Sequence, residues 1–504
     1  MLAEVLNRAA IEFPDRIAYV AAEGWGATFR QLDQFSDECA VWLATHAGVR
    51  EGDVVSLVMP STIEYLVLFG ALAKLGVTTA GVNSLLTARE RAGALECAEP
   101  SLVIADPALS DGLPAAVPVL EVVSGDNAED MVRAMRVPNE APPVLPPDPQ
   151  RGFTICFTSG STGMPKGALF RDAQIRAIAV SDTGGSGAWG QGTHSIASTQ
   201  FAHVGGMTKI PWMLASGGTI HLMTRWRAQT VMQLIHEYRM PALNGGPTQI
   251  ALMLRQPDFD RYDFSSVKAI ISGTGPSSPA LIKEARERFH APYSVRYSST
   301  ESGGVGTLTA LDAPDEEALY TIGRPRPGLE AMIADDDLRE LPVGEIGEMC
   351  MRSPCNMAEF WHNPEETART LVGDGWLRTG DLGYKDEAGC FRLAGRKKEM
   401  FIRGGYNVYP LEVEKVLSTH PKVAEVAIVP RADEVMTEIG VAVIVPVDPN
   451  DPPTLEELRT HGAVGLARYK LPERIRIIDE MPLNATHKLD RRTLAAQEQA
   501  SADN

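Results

Sequence analysis

Thr158 to Gly167 read T-S-G-S-T-G-M-P-K-G, directly after Phe153 to Phe157, F-T-I-C-F, whose apolar run predicts a buried strand. A loop leaving the C-terminal end of such a strand sits where α/β sheets bind ligands. Its glycines let backbone N–H groups approach oxyanions, the hydroxyls of Thr158, Ser159, Ser161 and Thr162 add donors, and Lys166 supplies positive charge. Phosphate is the ligand this chemistry suits. A Walker A loop needs G-x-x-x-x-G-K-[ST], and that pattern fails here. Gly163 lies three residues before Lys166, and Gly167 stands where the magnesium-binding hydroxyl belongs. The plain alternative is a flexible Gly/Ser turn.

Working outward, strand-like runs (Val54–Met59, Leu102–Ala105) alternate with helix-like ones (Gln31–Thr45, Ile63–Leu75), the pattern of an α/β sheet with crossover helices. Residues 137–150 carry six prolines and predict an extended connector into the loop. Beyond about residue 340 the texture changes to short strands at Gly347–Arg352 and Gly389–Ala394. A helix (Leu411–Thr419), strands (Val423–Val429, Ile439–Val445) and a helix (Thr454–His461) follow, a small α+β unit. Residues 497–504 are polar and predict a frayed end.

The 504 residues exceed what one core serves and predict two or three domains. A formal charge of −18 excludes a broad basic surface, and with it nucleic-acid and anionic-membrane binding. Six cysteines without C-x-x-C spacing suit reduced thiols in the cytoplasm. The N-terminus predicts an amphipathic helix, not a signal peptide, and the apolar stretch Tyr65 to Val82 is interrupted by Lys74 and glycines, short of a spanning helix.

Further motifs follow in a fixed order. Tyr297, Ser298, Ser299, Thr300 and Glu301 form Y-S-S-T-E; W-L-R-T-G-D-L-G occupies 376–383; G-R-K-K-E-M-F-I-R-G-G-Y-N-V-Y-P occupies 395–410; N-A-T-H-K-L-D-R-R occupies 484–492. Together with the loop at 158–167 these resemble the acyl-adenylate-forming superfamily, in its acyl-CoA and aryl-CoA synthetase branch, over nearly the whole chain.

The resemblance implies a large multi-subdomain N-terminal α/β domain (1–394), a hinge (395–398) and a small, mobile C-terminal α+β domain (399–504). It also implies ATP, Mg²⁺ and a carboxylic acid, with CoA as co-substrate. Thr158, Ser159, Gly160, Ser161, Thr162, Gly163 and Lys166 would hold the β- and γ-phosphates. Glu301 would hold Mg²⁺, a task suited to a hard oxygen ligand, and Thr300 would touch the α-phosphate. Tyr297, Ser298 and Ser299, with Gly273, Thr274 and Gly275, fall to the nucleotide; here G-T-G-P stands where G-G-A-P is usual. Asp381 would accept from the ribose hydroxyls, and Arg396 would reach ribose or phosphate. Lys488 would bridge the carboxylate and the α-phosphate, with His487 in place of the usual glycine before it. Lys398 would be the pivot, and Gly404, Gly405 and Tyr406 would line the acceptor channel.

Residues 200–206, Q-F-A-H-V-G-G, match the segment that rims the acid site, which makes His203 a pocket candidate. The aspartate that amino-acid-activating members place there is missing, which argues against α-amino acids. Acyl-CoA formation leads; acyl transfer to an amine and loading of a carrier protein reuse the same residues. A silent ATP-binding protein would have lost at least one of Lys166, Glu301, Asp381, Arg396 or Lys488. The identity of the acid stays open, as does the oligomeric state, a homodimer included.

Overall fold

A computed structural model describes residues 1–158, 165–185, 192–197, 199–223, 225–483 and 489–500. Contacts divide the chain into two compact units: Met1–Ala331 with Met351–Arg378, and Met332–Cys350 with Thr379–Asn504. The expected boundary at 395–398 concerns a pivot for motion. The contact units divide earlier in the chain, and they move 332–350 and 379–394 into the C-terminal unit.

The larger unit is built on three sheets. In the largest, the parallel strands Gly152–Thr158, Thr78–Val82, Val54–Val58, Leu102–Ala105 and Val119–Glu121 are neighbours in that order. Lys166–Arg171 and Glu359–Phe360 add antiparallel strands at one edge. The central strands Val54–Val58 and Thr78–Val82 are buried throughout, as expected for parallel strands covered on both faces. The helix Ile63–Lys74 lies between them in sequence, so the apolar stretch noted above is core. Lys74 is tolerated there because Asp33 and Asp37 each hold its ammonium at 2.7 Å. Among the described residues no helix is long and apolar enough to cross a membrane.

A second sheet aligns Ala242–Gly245, Ala269–Ser272 and Tyr293–Tyr297 in parallel, so their C-terminal ends share one edge. A smaller sheet contains Ile17–Val20, Gly26–Thr28, Thr219–His221 and His194–Ile196.

The smaller unit centres on the long antiparallel pair Val423–Asp433 and Thr437–Pro446, with Arg474–Ile477 alongside. Helices Pro410–Leu417 and Leu455–Gly462 pack on one apolar cluster, and Arg491–Ala500 contributes Leu494 to another. That last helix runs through 497–500, where a frayed end was expected; residues 501–504 lie outside the described residues. Glu498, polar in the sequence, is buried and ion-paired with Arg476 at 3.0 Å.

Candidate active site

In the larger unit, Gly152–Thr158 and Lys166–Arg171 form an antiparallel hairpin in which Thr158 pairs with Lys166. A strand therefore follows the glycine-rich loop, where a Walker A loop would lead into a helix. Ser159, Gly160, Ser161, Thr162 and Gly163 lie outside the described residues, as does Lys488. Lys166, at the hairpin base, is ion-paired with Glu366 and sits 5.3 Å from the Phe360 ring centre.

The shared edge of the three parallel strands gathers the nucleotide candidates. Gly245 ends the first strand and Gly246 follows it, Gly273, Thr274 and Gly275 follow the second, and Ser298 to Glu301 the third. Backbones approach closely here: the Gly273 N–H donates to Gly245 O at 3.3 Å, and a Cβ at Gly273 would stand 3.2 Å from Arg296 O. Thr274 adopts φ 71°, a region that favours glycine.

Thr300 and Glu301 ride on a locked turn. Ser299 N–H donates to Ser302 Oγ at 3.0 Å, Ser302 N–H donates back to Ser299 Oγ at 3.2 Å, and Ser302 Oγ also donates to Ser299 O at 3.0 Å. The Gly303 and Gly304 N–H groups close on Thr300 O and Ser299 O at 3.0 and 3.1 Å. Both glycines have φ near 66°, and a Cβ at Gly303 would meet Cys355 O at 2.5 Å. Met357 N–H anchors Glu301 O at 2.7 Å. The Glu301 carboxylate thus stands on fixed backbone, half-buried, a hard-oxygen donor suited to Mg²⁺. No group of three or more His, Cys, Asp or Glu that could hold a metal exists among the described residues. Mg²⁺ needs only one or two carboxylates when phosphates supply the rest.

His203 caps the short helix Val204–Met207, and its Nε2 hydrogen bonds with Asn83 Nδ2 at 3.2 Å, just past the strand Thr78–Val82. Gly81 makes that approach possible, because a Cβ there would stand 2.6 Å from Met207 Sδ.

In the smaller unit, Asp381 and Arg396 are register partners on the antiparallel strands Trp376–Lys385 and Phe391–Arg396. Arg396 Nε lies 3.2 Å from Asp381 Oδ1, and Thr379 Oγ1 accepts from Asp381 N–H at 3.1 Å. Lys398 is exposed in the turn that follows. Gly404 and Gly405, with φ 52° and 86°, make the two-residue turn between Phe401–Arg403 and Tyr406–Val408. Tyr406 stacks on Tyr469, ring centres 4.7 Å apart.

The model of AMP-binding enzymes matches residues 6–361, and that of the AMP-binding enzyme C-terminal domain matches 412–488. The chain belongs to the AMP-binding enzyme family. It is 32% identical to a fatty acid–[acyl-carrier-protein] ligase of Streptomyces coeruleorubidus, over 94% of this chain and 92% of that one. It is 30% identical to an indoleacetate–CoA ligase of Aromatoleum aromaticum, over 96% and 94%. The solved amide bond synthetase McbA of Marinactinospora thermotolerans superposes with a TM-score of 0.86 at 27% identity, covering 99% of each chain. As an AMP-binding enzyme the chain is an AMP-forming ligase that uses ATP to activate a carboxylate. Acyl transfer to CoA and acyl transfer to an amine are both consistent with these relatives.

Several residues of the site escape sequence reasoning. Ser302, three after Ser299, had a readable spacing. Asn83, Glu366 and Lys209, which donates to Gly303 O at 3.1 Å, had none, nor had Asp182 and Arg326, which are ion-paired behind Lys209, since each comes from a distant stretch of chain.

Proposed function

We propose that this AMP-forming ligase joins a carboxylic acid to CoA through an acyl-adenylate. A carboxylate oxygen attacks the α-phosphorus of ATP, the bond to pyrophosphate breaks, and pyrophosphate leaves. The CoA thiol then attacks the acyl carbon, loses its proton and displaces AMP, leaving the thioester.

The locked turn from Ser299 to Gly304, at the shared ends of three parallel strands, carries this reading. It would present Thr300 to the α-phosphate and Glu301 to Mg²⁺ without a reorganisation cost at the moment of reaction. Mg²⁺, when bound, neutralises phosphate charge. Lys166 and the hydroxyl-rich loop serve the outer phosphates, Asp381 with Arg396 the ribose, and Lys488 the charge that develops between carboxylate and α-phosphate. The smaller unit would pivot at Lys398 between the half-reactions and bring Gly404, Gly405 and Tyr406 to the pantetheine path. Six unbridged thiols, five of them buried, support a reducing cytoplasm.

The test is pyrophosphate release from MgATP across a panel of acids, with CoA, with amines and with neither. Thioester formed with CoA, and release reduced at least about a hundredfold in Lys488→Ala, is the expected result. Amide without thioester would assign the amine as acceptor. No acid-dependent release with any acid would sink the reading.

A further inference from the structure

Behind the Gly303–Gly304 turn lies a cluster that carboxylate activation as such does not require. Asp182, on the helix Asp172–Thr183, holds three cations: Lys209 Nζ at 2.7 Å, Arg296 Nη2 at 2.9 Å and Arg326 Nη1 at 2.6 Å. Lys209 also donates to Gly303 O at 3.1 Å, and Arg296 to Gly304 O at 2.6 Å. Arg326 Nη2 donates to Ser181 O at 2.5 Å. Side-chain exposure is 4% at Asp182, 7% at Lys209, 11% at Arg326 and 28% at Arg296.

One carboxylate faces three cations, a formal excess of two positive charges, with Lys209 and Arg326 largely out of water and Arg296 partly exposed. Carbonyl dipoles stabilise these cations without neutralising them. Buried charge is normally matched by opposite charge, because desolvation costs several kcal/mol per ion when it is not. Burial, with the neighbouring arginines, lowers the Lys209 pKa to about 8 against the opposing pull of Asp182.

Lys209 stands six residues beyond His203, on the segment that follows the acid-site stretch. A Cβ on Gly304 would lie 3.5 Å from Lys209 Cε and 3.8 Å from Val204 Cγ1, so this segment and the Thr300–Glu301 turn meet at the lysine.

We infer that the Asp182–Lys209–Arg296–Arg326 cluster is a subsite for a second anionic group on the acid, so that the preferred substrate is a dicarboxylic acid with one carboxylate adenylated and the other held at Lys209. The inference rests on the carboxylate-activating reading above. It sets this chain apart from relatives whose printed substrates, a fatty acid and indoleacetate, end in apolar groups.

Acid-dependent pyrophosphate release by the full-length enzyme tests it, with matched pairs that differ only in a terminal methyl or carboxylate: hexanoate against adipate, 3-(4-methylphenyl)propanoate against 3-(4-carboxyphenyl)propanoate. At least about a tenfold higher kcat/KM is expected for the dicarboxylate of a productive pair, the scale of one charge-assisted hydrogen bond. Lys209→Met should abolish or invert the preference, and Arg326→Met should weaken it. Calorimetric binding of the same acids to wild type and Lys209→Met runs alongside. Preference for the methyl-ended acid in wild type, or an equal loss for both acids in Lys209→Met, would overturn the subsite and leave the cluster only a brace for the turn. Lys209-dependent binding of a dicarboxylate without pyrophosphate release would keep the subsite and sink the ligase reading. Neither binding nor release would sink both.

Discussion

Two regions carry nucleotide candidates, and they are held by different means. Asp381 and Arg396 face each other because an antiparallel register puts them there, and the strands' own ladder maintains the pair. Thr300 and Glu301 sit on irregular backbone with two left-handed glycines, maintained by Ser302 and by a buried ion cluster drawn from three distant segments. Ladder geometry survives the loss of a side chain, because each backbone bond is local and repeated. A turn braced by side chains stands or falls with them.

Asp182 is where that contrast should break most sharply. Asp182→Ala leaves three mostly buried cations without their shared counterion, and the expected loss of stability is about 3–5 kcal/mol in chemical denaturation. An unchanged midpoint would mean that the cluster does not brace the larger unit.

Ser302→Ala comes next. Ser302 is fully buried, and the change removes its two side-chain hydrogen bonds with Ser299. About 1–2 kcal/mol of stability should go, with slower pyrophosphate release and little change in the KM for ATP, since the turn would still form but position Thr300 and Glu301 less well. A raised KM with kcat intact would point instead to a binding role.

The smallest stability effect belongs to the ladder. Arg396 is mostly exposed, so Arg396→Met should shift the unfolding midpoint by less than about 1 kcal/mol, while the KM for ATP rises. A large stability loss there would erase the difference between the two regions.

Much of the architecture is legible in local pattern. The strands Val54–Val58 and Leu102–Ala105, the helices Phe29–His46 and Ile63–Lys74, and the proline-rich connector each follow from apolar periodicity or from breakers within a few residues. The helix Arg491–Ala500 was not foreseen, and a frayed end was expected from residue 497 because the segment looks polar; the ion pair with Arg476 shows how Glu498 is held inside. At the site, motif residues were legible because chemistry constrains their types. Their partners were not, since nothing near Glu301 in sequence announces Asp182 or Lys209.

The sequence by itself determined the residue types the reaction needs and their order along the chain: hydroxyls and glycines for phosphates, Glu301 for a hard cation, Asp381 for hydroxyl donors, and an acidic chain with its cations kept local. Tertiary structure alone decided what holds Thr300 and Glu301 in place, and that Lys209, Arg296 and Arg326 share a single carboxylate. The reason is physical: hydrogen bonding and apolar periodicity act over a few residues and leave a mark in the sequence. The charge balance of a buried cluster is set by whichever distant segments the fold packs together.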